Sequence, residues 1–172
     1  MIRAPRQHRQ GFTLIEILIV VVILGILAAI VIPQFSNASH MARENTLKDD
    51  LRYLRTQITV YKAQHRDVPP GYPGNVMTAT PTESDFLAQM IQFSDEQGNL
   101  STSPSSTLKY GTYLMKMPPN PLSGLATVTV IANNSAMPAV DDSTGWIYKP
   151  QTGEIIANTS GADRDGTSYA SY

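Results

Sequence analysis

An α+β fold built on one long N-terminal helix follows from three observations. Phe12 to Ile32 is an apolar run of 21 residues whose one ionisable side chain is Glu16. Beyond Pro33, Leu47, Leu51, Leu54, Ile58 and Tyr61 recur at spacings of four, three, four and three, the period of an amphipathic helix. The second half holds β-rich segments at Thr127–Ile131, Gly145–Tyr148 and Glu154–Ala157, separated by turn-forming residues. Together they predict a helix, apolar all round in its first part and on one side in its second, packed on a small antiparallel sheet.

Four segments follow in chain order. Residues 1–11 are a basic leader, 12–33 a membrane-length helix, 34–67 an amphipathic helical spine, and 68–172 a C-terminal globular region. The leader contains Arg3, Arg6 and Arg9 and no acid, ending at Gly11. Without it the charge is ten basic against 14 acidic residues, and no dense basic patch of the kind nucleic-acid binding requires is present. The chain has no cysteine, which excludes disulfides and thiolate metal sites.

As a helix the apolar run spans about 31 Å, the thickness of a bilayer's hydrocarbon core. A secretory signal peptide has its apolar region before the cleavage site. Here the basic segment and the glycine come first and the apolar run follows. The arginines stay cytoplasmic by the positive-inside rule, so the C-terminal region is expected outside. Hydropathy alone fits an uncleaved signal anchor.

The hexapeptide Gly11-Phe12-Thr13-Leu14-Ile15-Glu16, followed at once by the unbroken apolar helix, resembles the processing site of type IV pilins and type II secretion pseudopilins. The resemblance implies that a membrane-embedded prepilin peptidase cuts after Gly11 and methylates the new N-terminal Phe12. It further implies that Glu16 pairs with the free amine of a neighbouring subunit and sets the register of a filament. A carboxylate inside a membrane helix costs a few kcal/mol and needs a partner, which gives that pairing its physical basis. The alternative for Glu16 is that it snorkels to the headgroups or rests protonated. Pro33 removes one helical hydrogen bond; it is read as a kink or as a point where the packed helix unwinds in filaments.

The spine's apolar stripe is read as core under a small sheet, with a coiled-coil seam as the alternative. Asp50 to Asp67, Asp-Leu-Arg-Tyr-Leu-Arg-Thr-Gln-Ile-Thr-Val-Tyr-Lys-Ala-Gln-His-Arg-Asp, precedes the turn Pro69-Pro70-Gly71-Tyr72-Pro73-Gly74. This stretch is similar to the helix end of G-type (major) pseudopilins. The turn should stop the helix near His65 to Asp67. A short helix of about ten residues is expected, capped by Thr82 or Ser84, with Phe86, Leu87, Met90 and Ile91 on its apolar side and acids in its first turn. Lys149 to Gly153 is hairpin chemistry between two strands, and Trp146 is read as core rather than a ligand platform.

In the tail, G-type pseudopilins carry a calcium loop after the last strand. Ser160-Gly161-Ala162-Asp163-Arg164-Asp165-Gly166 resembles it faintly, which implies calcium on Asp163 and Asp165 through hard oxygen ligands. The longer acidic continuation is missing, and two acids beside a glycine are also ordinary turn chemistry.

His8, His40 and His65 show no ligand spacing, and no nucleophile, phosphate-loop or dinucleotide signature is present. The chain is therefore read as a structural subunit, not an enzyme. The resemblance implies a type II secretion pseudopilin that assembles with copies of itself, with minor pseudopilins and with an inner-membrane platform, into a periplasmic filament that drives protein export. Two rivals stand beside it: a type IV pilin of a surface fibre for adhesion, motility or DNA uptake, and a monomeric membrane-anchored binding module.

Overall fold

The computed structural model describes residues 11–172. The leader arginines lie outside the described residues. The element order is a helix α1 (Leu14–Gln64), a helix α2 (Glu83–Ile91), two short strands β1 (Phe93–Ser94) and β2 (Leu100–Ser101), and three further strands β3 (Val128–Val130), β4 (Trp146–Lys149) and β5 (Glu154–Ala157). Residues through Met41 and residues from Ala42 to Tyr172 form two separate compact units.

In the first unit the helix passes through Pro33 without interruption. Its apolar residues from Ile17 to Ile32 are exposed along the whole run, and α1 is long and apolar enough to cross a membrane. Burying that many apolar side chains needs lipid or other helices, because a soluble protein does not leave so large a patch bare.

In the second unit α1 continues as the backbone of a core. Leu47, Leu51, Leu54 and Tyr61 are fully buried and Ile58 is 3% exposed, so the stripe is core and not a seam. It packs in one cluster with Phe86 and Met90 of α2 and with Val128, Trp146, Tyr148, Ile155 and Ala157 of the sheet. Each fully buried leucine contributes about 1.5–3 kcal/mol relative to exposure. The helix ends at Gln64, where Arg66 and Asp67 take positive φ (57° and 65°) and the prolines then forbid its continuation.

Helix α2 starts as its sequence demands. Asp85 N–H donates to the Thr82 hydroxyl at 3.1 Å, a side-chain cap with Glu83 and Asp85 in the first turn. Glu83 reaches across to accept the Val128 N–H at 2.7 Å, joining α2 to β3. The buried Gln89 amide accepts from Gly71 N–H (2.6 Å) and donates to the Tyr72 carbonyl (2.7 Å), pinning the proline-rich turn onto α2. Gly71 has φ +112°, which a side chain would strain.

The larger sheet has the order β3-β4-β5. β4 and β5 form the expected antiparallel hairpin, with Trp146 opposite Ala157 and Lys149 opposite Glu154. β3 departs from the all-antiparallel expectation and pairs parallel with β4, Val128 opposite Trp146. Its connection runs from Ile131 to Gly145, long enough for the crossover that parallel neighbours need. At the end of that connection a Cβ on Gly145 would lie 2.0 Å from the Leu125 carbonyl oxygen, so only glycine admits the close approach. Trp146 is fully buried and donates its indole N–H to the Pro118 carbonyl at 2.9 Å, a core role. Beside it the buried Asn120 donates to the Gly145 carbonyl (2.9 Å) and the Thr159 hydroxyl (2.8 Å), which fixes the proline-rich segment under the sheet.

Candidate functional site: the head of the apolar helix

Gly11 is exposed, a Cβ added to it would meet nothing within 4 Å, and its φ is not in the left-handed region. Nothing in the local fold requires glycine here. Phe12 is 85% exposed, presenting a bare aromatic ring next to the glycine.

Thr13 and Glu16 form a reciprocal cap on the start of α1. Glu16 N–H donates to the Thr13 hydroxyl at 3.3 Å, and the Glu16 carboxylate accepts from both the Thr13 N–H and the Thr13 O–H at 2.7 Å. Thr-x-x-Glu is the capping-box pattern, which satisfies N–H groups that the first turn otherwise leaves free. The acid also sits at the positive end of the helix dipole. Glu16 is thus not an isolated charge in this chain: three local contacts hold it near the head of the helix. The Thr-x-x-Glu spacing is legible in the sequence and signals the cap, a local role beside the intermolecular pairing that the family resemblance implies for Glu16.

The other predicted residues do not join this site. Pro33 lies further along the same helix, where its missing N–H leaves the Ala29 carbonyl without its usual helical donor. Asp163 and Asp165 belong to the second unit. Asp163 Oδ1 accepts from the Asp165 and Thr167 N–H groups (3.0 and 2.8 Å), and Oδ2 accepts from the Tyr172 hydroxyl (2.8 Å) with the Lys48 ammonium 3.6 Å away. The Tyr172 hydroxyl, the two N–H groups and Lys48 hold the Asp163 carboxyl below the usual aspartate range. Asp165 is exposed. Among the described residues no three His, Asp or Glu side chains gather as a metal would need.

His65, which the sequence placed beside the polar end of the helix, is fully buried. Its ring stacks on Tyr61 with centroids 3.8 Å apart, and its Nδ1 lies 2.8 Å from the Tyr61 carbonyl. A carbonyl only accepts, so Nδ1 carries the proton and Nε2 accepts from the Ser94 hydroxyl at 2.9 Å. Desolvation lowers the His65 pKa, against the weaker opposing pull of the Tyr61 carbonyl, Asp95 and Glu96.

Residues 6–32 match the family described as the prokaryotic N-terminal methylation motif. The chain's similarity to type II secretion system core proteins G supports a G-type pseudopilin. The chain is 41% identical over 69 residues to the type II secretion system core protein G of Pseudomonas aeruginosa, covering 40% of this chain and 49% of that one. The core protein G of Klebsiella michiganensis is 36% identical over 64 residues, covering 37% and 45%. Pilus-type relatives match too: the type IV major fimbrial protein FimA of Dichelobacter nodosus is 46% identical over 50 residues, covering 29% and 32%. The chain spans about half the length of the G proteins it matches. No solved structure matches it.

Proposed function

We propose that this chain is a structural subunit of a type II secretion pseudopilus. The observation that carries the reading is the exposed apolar helix headed by Gly11, Phe12 and the Thr13–Glu16 cap. The prepilin peptidase cuts after Gly11 and methylates the Phe12 amine. Glycine suits the cut because it leaves the scissile backbone uncovered, while the local fold makes no use of it.

Before assembly the apolar run anchors the subunit in the inner membrane, with the arginine-rich leader cytoplasmic and the C-terminal domain periplasmic. During assembly the run leaves lipid and packs against copies of itself. The same apolar surface serves both states, so extraction exchanges one dry environment for another. Glu16 then accepts the free amine of an incoming neighbour. That exchange neutralises two charges in a low-dielectric interior and rejects any axial offset that leaves either unpaired. The Thr13 contacts hold the carboxylate in place until the amine arrives. Minor pseudopilins and an inner-membrane platform would start and drive the process, and Pro33 gives the helix a point of weakness where it can bend or unwind.

Similarity to FimA, 46% identical over 50 residues, favours a second reading, a surface pilus. Deleting the gene and following export of a type II secretion substrate separates the two. Lost export with no loss of surface fibres supports the pseudopilus, whereas normal export with lost fibres supports the pilus.

A further inference from the structure

The resemblance to G-type pseudopilins implies a calcium ion at the tail, yet the residues there do not fit one. An ionised carboxylate has about four acceptor positions. On Asp163 three are filled by the chain's own donors, two backbone N–H groups on Oδ1 and the Tyr172 hydroxyl on Oδ2, and the Lys48 ammonium pairs with Oδ2 at 3.6 Å. The Asp163 side chain is only 8% exposed and Lys48 already supplies a positive charge 3.6 Å from it. A divalent ion would have to displace that ammonium and break the turn.

We infer that Lys48 is the resident cation of the Asp163 loop, and that the C-terminal tail is a strap closed on α1 by the protein's own charges rather than by a metal. Three residues on one side of α1 hold it. Glu44 accepts the Tyr169 hydroxyl at 3.0 Å, and the Lys48 ammonium also lies 4.2 Å from the centroid of the Tyr172 ring. Arg55 donates to the Ile155 carbonyl at 3.1 Å and to the Tyr172 carbonyl. Spacings of four and seven put these side chains on one face. The rings of Tyr169 and Tyr172 meet edge to face, 5.7 Å apart, and pack against the core cluster. A cation over an aromatic ring and beside a nearly buried carboxylate is stronger than either contact on a bare surface. The strap grips α1 in the turns that open its buried stripe, at Leu47 and Leu51. This arrangement is independent of whether the filament secretes or adheres.

The test uses the full chain in detergent, with melting temperature and tail hydrogen exchange as readouts. Chelator and added calcium should each leave the wild-type melting temperature unchanged. Lys48→Met keeps the apolar stem and removes the charge; it should lower the melting temperature by a few degrees and speed exchange across Asp163–Tyr172. Lys48→Arg should restore most of both. A rise in melting temperature with calcium, or a fall with chelator, would overturn the inference. So would a Lys48→Met chain that melts and exchanges like wild type.

Discussion

At the scale of single residues, the head of the helix separates chemistry from folding. Gly11 has no steric or conformational role, so Gly11→Val should leave the C-terminal domain's melting temperature unchanged while the protein keeps its leader; the intact mass of the membrane-extracted chain reads this directly. Glu16 combines a cap and a charge, and two substitutions divide them. Glu16→Gln keeps a carbonyl oxygen that can accept from Thr13 but removes the charge, whereas Glu16→Ala removes both. If charge pairing sets the register, both variants are processed and neither assembles into filaments. Filaments made by the glutamine variant alone would mean that the cap suffices. His65 gives a third prediction at this scale. Its folded pKa is depressed, so the unfolded chain takes up a proton at a higher pH than the folded one does. Its neutral form is compatible with the fold above about pH 6.5, and stability declines as pH falls from there toward the folded value. Melting curves between about pH 7 and 5 should show this slope, and His65→Gln should flatten it.

Among the elements, α1 serves two environments with one continuous helix. Its exposed run is long and apolar enough to cross a membrane and its striped half is buried in a core; both were legible because each is a strong hydrophobic pattern. Leu51→Ala in the stripe should cost about 2–5 kcal/mol and lower the domain's melting temperature, whereas Val60→Ala, on a more exposed side, should cost far less. The cap of α2 and the β4–β5 hairpin were legible from Thr82 and from Lys149–Gly153 for the same reason: the information is local. The parallel pairing of β3 was not. Strand direction depends on the path of the chain between Ile131 and Gly145, and alternation alone carries no sign of it. The strap was equally hidden, since Glu44 and Tyr169 are 125 residues apart and each reads locally as a solvated polar residue. Gln89 is a further case, an amide whose role as a bridge to Gly71 and Tyr72 exists only in three dimensions.

For the molecule as a whole, the proposed function turns on the exposed apolar run of α1, which would be covered by lipid before assembly and by copies of itself afterwards. The chain contains no cysteine, which gives a clean background for introduced ones. The most direct test places a single cysteine in the exposed apolar run, Leu24→Cys, and looks for disulfide-linked dimers after oxidation in cells that carry the assembly machinery. The account predicts a dimer in the otherwise wild-type chain that is lost when Glu16→Gln is added. A protein that stays monomeric in both, or dimerises equally with and without Glu16, would contradict it.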